Sequence, residues 1–134
     1  MIMSRKIDNI LLIDDDEPTN FLTNLMIQES GIGCDVHTMY TALDALEWLK
    51  VESNPTPDLI LLDINMPMMN GWEFLEEYRQ LPITTKSKMI IVMLTSSLNP
   101  HDKLKAEAID EVSAYVNKPI AFDDILGIVD RVSA

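Results

Sequence analysis

The sequence predicts an α/β fold in which five parallel strands form one sheet with helices on both of its faces. Two observations predict it: short, continuous apolar runs that are typical of strands buried on both faces, and helix-like segments that alternate with them. The connections are short, and the sequence contains no repeat, linker or low-complexity stretch. We therefore expect a single domain over residues 1–134.

Three apolar runs predict the central strands, because each is four to six residues long and is bounded by polar or turn residues. Two weaker segments fit the gaps between them. The five predicted strands cover residues 10–13, 34–40, 59–62, 89–94 and 114–117.

The segments between and after the strands predict five helices, at residues 18–29, 41–51, 72–81, 100–111 and 122–132. In the first helix, the four apolar residues between Phe21 and Met26 have the spacing of one helical face, and Gly31 ends the helix. An Asn70-Gly71 pair predicts a turn before the third helix. Asn99 is suited to cap the fourth helix, because Pro100 follows it at the first helical position.

The chain is acidic, with 10 Lys and Arg residues against 22 Asp and Glu residues and a formal net charge of −12. Such a surface repels phosphates, which argues against direct binding of nucleic acid or of an anionic membrane surface. Cys34 is the only cysteine, so neither an intrachain disulfide nor a zinc site made of cysteines is available. No apolar run is long enough to span a membrane, and residues 1–9 lack the apolar stretch of a secretory signal. We therefore expect a cytoplasmic protein.

Polar side chains follow four of the predicted strands, and in a parallel sheet these strand ends lie at one edge. They are, in strand order, Asp14-Asp15-Asp16, Asp63, Thr95 and Lys118. Carboxylates that lie close together repel one another, and a divalent cation relieves this repulsion. Because the donors are all oxygen, the sequence predicts Mg²⁺, beside which a carboxylate can attack phosphorus. With Lys118 and Thr95 as partners for phosphate oxygens, the set is suited to phosphoryl transfer.

Several motifs, in this order, resemble the receiver domain of bacterial two-component response regulators, the CheY-like family. They are LIDDD at 12–16, LLDINMP at 61–67 with NG at 70–71, LTS at 94–96 and YVNKP at 115–119. The resemblance covers nearly the whole chain, from about Lys6 to Val132. It implies a flavodoxin-like sheet with the strand order 2-1-3-4-5, an order that the periodicity of the sequence does not itself predict.

The resemblance implies a role for each residue of the acidic set. Asp63 resembles the phosphoacceptor, and Lys118 resembles the lysine that pairs with the phosphoryl group. Asp14 and Asp15 resemble the acidic pair that holds Mg²⁺. Asp63 and the backbone carbonyl of Asn65 are the expected further ligands of the ion.

The resemblance also implies a conformational switch. Thr95 resembles the switch hydroxyl and Tyr115 the switch aromatic, whose ring is expected to move into space beside the fourth strand. Asp16 is expected to point outward, and Pro119 is expected to follow a cis peptide bond.

A domain of this family is a signalling switch rather than a conventional enzyme, although it assists its own phosphorylation and dephosphorylation. The expected phosphodonor is a sensor histidine kinase or a histidine phosphotransfer protein. An unidentified downstream protein and, on phosphorylation, a second copy of the chain are the other expected partners. If the chain is complete, it resembles a stand-alone receiver.

Three other functions stay open at this point: an Asp-based Mg²⁺ phosphohydrolase, a flavin or nucleotide carrier, and a receiver-like module that binds proteins without phosphorylation. The first uses an Asp-x-Asp-x-Thr/Val motif at a strand end, where this chain has Pro18 at the last position. The second needs a Gly- or Ser/Thr-rich phosphate loop, where this chain has acidic residues 14–17. The third is expected to lack one of the acids, the threonine or the lysine, and none is missing.

Overall fold

The structure is a computed structural model, and it describes residues 7–82, 90–96 and 99–133 of the chain. Its strands are β1 (Asn9–Ile13), β2 (Asp35–Met39), β3 (Leu59–Asp63), β4 (Ile90–Thr95) and β5 (Val112–Asn117). Its helices are α1 (Glu17–Glu29), α2 (Ala42–Lys50), α3 (Gly71–Arg79), α4 (Pro100–Glu107) and α5 (Phe122–Ser133). The strands form one parallel sheet in the order β2-β1-β3-β4-β5, which confirms the predicted fold class and strand order.

The central strands are continuous apolar runs because helices cover both faces of the sheet. Leu11 and Ile60 are neighbours on adjacent strands, and both face the layer that contains α2 and α3. Leu12 and Leu61 are the next pair, and they face the opposite layer with α1 and α5. All four are 0% exposed, so each contributes roughly 1.5–3 kcal/mol of burial to a rigid sheet that carries the strand-end residues.

Helix α1 lies where it was predicted, but its apolar face does not point to the core. Phe21 and Leu22 are 68% and 54% exposed, whereas Asn20, Thr23 and Ile27 are buried. The spacing of the apolar residues predicts a helix and leaves open which side faces the sheet. In the structure, Ile27 packs into the core, and the side of α1 that faces the sheet is the one that carries Asn20, Thr23 and Ile27.

The fourth helix is shorter than predicted. Helix α4 ends at Glu107 rather than at residue 111, and β5 begins at Val112 rather than at residue 114. The backbone N–H of Val112 bonds to the carbonyl of Ile109 at 3.1 Å, and Val112 pairs with Ile91 of β4. Residues 108–111 therefore form the turn that leads from α4 into the sheet, rather than the last turn of the helix. Met89, the predicted first residue of the fourth strand, lies outside the described residues.

None of the helices in the described segments is both long enough and apolar enough to span a membrane.

Candidate functional site

The ends of β1, β3 and β5 bring the predicted acids and the predicted lysine together. Asp14 follows β1, Asp63 ends β3 and Lys118 follows β5. The Nζ atom of Lys118 lies 2.5 Å from Oδ2 of Asp14 and 3.2 Å from Oδ1 of Asp63. One ammonium group thus pairs with two carboxylates whose residues are only 0% and 3% exposed. The peptide bond between Lys118 and Pro119 is cis, as the family resemblance implied.

Three carboxylates at this edge form a set of ligands suited to a hard divalent cation. Asp14, Asp15 and Asp63 each offer one oxygen, and these oxygens all lie within 4.8 Å of one another. Asn65 is exposed at the same edge, and its backbone N–H donates to Oδ1 of Asp63 at 3.3 Å. Because the donors are all oxygen and carry excess negative charge, the residues fit Mg²⁺. The carbonyl of Asn65 as a further ligand stays a prediction.

The electrostatics of the site favour the charged form of Lys118 and disfavour the charged form of Asp63. Burial and, after it, the negative charge of Asp14 raise the pKa of Asp63 to about 6, although Lys118 and the N–H of Asn65 act in the opposite direction. Burial of Lys118 favours its neutral form, but the hydrogen bonds and charges of Asp14 and Asp63 outweigh burial and raise the pKa of Lys118. At neutral pH, Asp63 is therefore largely ionised and Lys118 is protonated.

Asp16, the third acid after β1, caps helix α1 and is not part of this cluster. Its Oδ2 atom accepts hydrogen bonds from the backbone N–H of Thr19, at 3.1 Å, and from the hydroxyl of the same residue. Asp16 is exposed, and these hydrogen bonds lower its pKa. The structure thus places two acids of the triplet in the site and uses the third as a helix cap.

Gly71 lies closer to Asp63 than the sequence indicated. The Asn70-Gly71 pair does not form a free turn, because Asn70 and Glu73 form a capping box at the start of α3. Gly71 is the first residue of this helix, and a Cβ atom there would lie 2.9 Å from both the backbone oxygen of Asp63 and the Cα atom of Ile64. A side chain at this position would therefore push against the main chain that carries Asp63. The signal in the sequence was a glycine shortly after Asp63 at the start of a helix.

Substitution Gly71→Ala should destabilise the fold by about 1–3 kcal/mol, because the atoms that the new methyl group meets are backbone atoms that cannot move aside. Gly127→Ala is the matched control, since a Cβ atom there meets no atom within 4 Å. The control should stabilise α5 by about 0.5–1 kcal/mol, as Ala is the better helix former. Urea denaturation measures both changes. A Gly71→Ala protein as stable as the wild type would contradict the close approach.

Thr95 and Tyr115, the two predicted switch residues, lie on neighbouring strands. Thr95 ends β4 and is fully buried, and its backbone oxygen accepts the N–H of Lys118 at 2.6 Å. Tyr115 lies opposite Met93, and its half-buried ring packs against the core. The Tyr115 hydroxyl is buried and has no hydrogen-bond partner among the described residues. The ring therefore already lies inward in this structure, and its movement stays a prediction.

Comparison with known proteins agrees with this geometry. The family model of the response regulator receiver domain matches residues 10–130 of the chain. The chain belongs to the response regulator receiver domain family. This receiver domain is similar to the crystal structure of a two component response regulator from Cytophaga hutchinsonii, with a TM-score of 0.85 and 36% sequence identity. The similarity covers 96% of this chain and 98% of that chain.

Curated relatives of this receiver domain fall into two kinds. Response regulator Rcp1 from Synechocystis sp. is 29% identical, and the match covers 93% of this chain and 86% of that protein. Hybrid signal transduction histidine kinase G from Dictyostelium discoideum is 30% identical over 98% of this chain, but the match spans only 4% of that protein. Receiver domains of two-component signalling thus occur in proteins of very different length.

Proposed function

We propose that this receiver domain is a phosphorylation-activated switch, which accepts a phosphoryl group on Asp63 from a sensor histidine kinase or a histidine phosphotransfer protein. The observation that carries the proposal is the position of Asp63, a buried carboxylate between a lysine and two further acids. Lys118 lies 3.2 Å away, and Asp14 and Asp15 complete a cluster of oxygens within 4.8 Å. A structural ion pair would not need the exposed third acid, Asp15.

The Asp63 carboxylate is the nucleophile of the proposed transfer. One of its oxygens forms a bond to phosphorus while the bond from phosphorus to the donor's histidine nitrogen breaks. Lys118 pairs with the charge on the transferred group, and the hydroxyl of Thr95 donates a hydrogen bond to another of its oxygens. Mg²⁺, held by Asp14, Asp15, Asp63 and the carbonyl of Asn65, would neutralise charge on the transferred group.

An apolar cleft beside the site supports a protein, rather than only a small molecule, as the phosphodonor. The cleft has a volume of about 180 Å³ and lies between α1 and the segment that follows Lys118. Its apolar lining residues are Leu22, Leu25, Met26, Pro119 and Ile120. Phe21 on the same helix is 68% exposed. A protein that brings a phosphohistidine to Asp63 would cover this apolar surface.

The proposed switch connects the site to the surface formed by α4, β5 and α5. Thr95 lies opposite Asn117 on β5, two residues from Tyr115, so a movement of Thr95 toward the phosphoryl group changes the space beside β5. A downstream protein or a second copy of the chain would prefer one state of this surface. A coupling free energy of about 1–3 kcal/mol between phosphorylation and partner binding would change the affinity for that partner by roughly 5–150-fold.

Beryllium fluoride, which mimics a phosphoryl group on aspartate, provides a test of this coupling. The adduct should shift the amide NMR signals of residues 112–117 in the wild type, and Thr95→Ala and Tyr115→Ala should reduce the shifts. Shifts of full size in both variants would contradict a route through these two residues.

Acetyl phosphate labelling tests the proposed function itself. With Mg²⁺, mass spectrometry should show one phosphoryl group per chain in the wild type and none in Asp63→Asn, which keeps the shape and removes the nucleophile. Chelation of the metal should abolish the labelling. Asp16→Asn is the matched control, because it changes an acid of the same edge to an equally good helix cap and should be labelled like the wild type.

Two results of this experiment would favour other functions. Hydrolysis of a phosphate monoester, offered in place of acetyl phosphate, would indicate a phosphohydrolase, and the absence of any label on the wild type would indicate a binding module that is not regulated by phosphorylation. Equal labelling of Asp63→Asn and the wild type would contradict the assignment of Asp63.

A further inference from the structure

Asn20 is a polar residue on the side of α1 that faces the sheet. It is 4% exposed, whereas the apolar Phe21 beside it is 68% exposed. The side-chain Nδ2 atom of Asn20 donates to the backbone oxygen of Asp14 at 2.8 Å. Its Oδ1 atom is buried and has no hydrogen-bond partner within the part of the chain that the structure describes. A buried amide with an unpartnered oxygen is unfavourable for stability alone, so its bond to Asp14 points to another role.

Asp14 is held by contacts from four parts of the fold. Its backbone N–H donates to the carbonyl of Met39 on β2 at 3.1 Å. Its Oδ1 atom accepts the N–H of Asp16 at 2.9 Å, and its Oδ2 atom pairs with Lys118 at 2.5 Å. The bond from Asn20 holds the remaining polar group, the carbonyl, immediately beyond the end of β1. This contact therefore fixes the main chain at the start of the acidic loop.

The carbonyl of Asp14 and the N–H of Asp15 belong to one planar peptide unit. Asp15 is exposed, so packing does little to hold its side chain, and this peptide unit sets the position of the main chain from which its carboxylate reaches the cluster. The three acidic oxygens nevertheless lie within 4.8 Å of one another. Fixing the Asp14 carbonyl keeps Asp15 turned toward Asp14 and Asp63.

We propose that Asn20 is a positioning residue of the metal site, which pre-orients the carboxylates of Asp14 and Asp15 by holding the peptide unit between them. The proposal rests on the proposed function, because it requires Mg²⁺ to bind at this cluster. Side chains that hold metal ligands in place typically account for 10–100-fold in metal affinity. Loss of the Asn20 bond should therefore weaken Mg²⁺ binding by about 10-fold or more, although Asn20 itself is not a ligand.

Substitution Asn20→Leu separates positioning from stability. Leucine has a similar branched shape but cannot donate to Asp14, so it removes the unpartnered oxygen of Asn20 and leaves the carbonyl of Asp14 without this donor. Because one unpartnered polar atom replaces another, the variant should be about as stable as the wild type in metal-free urea denaturation, while calorimetric titration with Mg²⁺ shows the weaker affinity. Asn20→Ala is the second variant and should show a similar loss of affinity. In the metal-free proteins, the amide NMR signals of Asp14 and Asp15 should shift in both variants.

Asn24→Ala is the matched control, since Asn24 lies one turn further along α1 and its side chain accepts a hydrogen bond from Gln28 instead. It should bind Mg²⁺ like the wild type. Wild-type affinity in Asn20→Leu and Asn20→Ala would overturn the positioning role and leave the proposed function intact. Parallel losses of stability and affinity in both variants would also overturn it, because they indicate a structural role alone. A wild type that binds no Mg²⁺ would contradict the proposed function and, with it, this inference.

Discussion

Replacing Lys118 with methionine should lower the free energy of unfolding by about 3 kcal/mol near neutral pH in metal-free buffer. Lys118 pairs with Asp14 and Asp63 at 2.5 Å and 3.2 Å, and the side chains of these acids are 0% and 4% exposed. Without the ammonium group, two buried carboxylates face each other with their main compensating charge removed. Urea denaturation of the variant and the wild type measures the difference.

The loss of unfolding free energy in Lys118→Met should depend on pH and on metal, and these two dependences are internal controls. The deficit should shrink between pH 7 and about 5, because protonation of Asp63, whose pKa is already raised to about 6, removes the repulsion. Mg²⁺ should recover more stability in the variant than in the wild type, since a bound cation replaces the missing charge. Lys50→Met, at the exposed end of α2, should change stability by less than about 1 kcal/mol. Equal stability of the Lys118→Met and Lys50→Met proteins would contradict the role of the buried pair.

Asp63→Asn should have the opposite effect and stabilise the metal-free protein. The pKa of Asp63 rises from 3.8 to about 6 on folding, so between these values the folded protein binds more protons than the unfolded chain. The wild type therefore loses stability as the pH rises from about 4 to about 6, and the loss persists above that range. The asparagine variant avoids this loss, and we expect a gain on the order of 1–3 kcal/mol near neutral pH.

Urea denaturation of Asp63→Asn and the wild type across a pH series measures the difference in their free energies of unfolding. This difference isolates the effect of Asp63 from the effects of the other carboxylates. The gain should be nearly absent at pH 4 and complete by about pH 7. A gain that is constant with pH, or a loss at neutral pH, would show that the carboxylate of Asp63 is not held in an unfavourable charged state.

The opposite signs expected for Lys118 and Asp63 describe a site that is kept acidic at the expense of stability. The same carboxylate that weakens the metal-free fold is the proposed nucleophile. Such trade-offs between stability and activity are typical of functional sites.

The sheet and the residues at its edge could be predicted from the sequence because both depend on simple geometry. Continuous apolar runs such as residues 59–62 indicate strands that are buried on both faces, and parallel strands end at one edge. This argument was enough to expect Asp14, Asp63 and Lys118 together, although they are far apart in the chain. The strand order came only from the family resemblance, because periodicity carries no information about which strands are neighbours.

The orientation of α1 and the importance of Gly71 could not be predicted in this way. The spacing of Phe21 and Leu22 is the same whichever side of the helix meets the sheet, and the buried Asn20 has no apolar signal. The constraint on Gly71 is a distance of 2.9 Å to the backbone of Asp63, which only a folded structure provides. Local patterns predict elements, whereas these roles depend on contacts between them.

Borohydride reduction after phosphorylation would locate the phosphoryl group within the chain, because it converts an aspartyl phosphate to homoserine. The wild type is treated with acetyl phosphate and Mg²⁺, then reduced, digested and sequenced by mass spectrometry. We expect homoserine at position 63 and unmodified aspartate at positions 14, 15 and 16. Homoserine at any of these three positions, with Asp63 unmodified, would contradict the assignment of Asp63 as the phosphoacceptor.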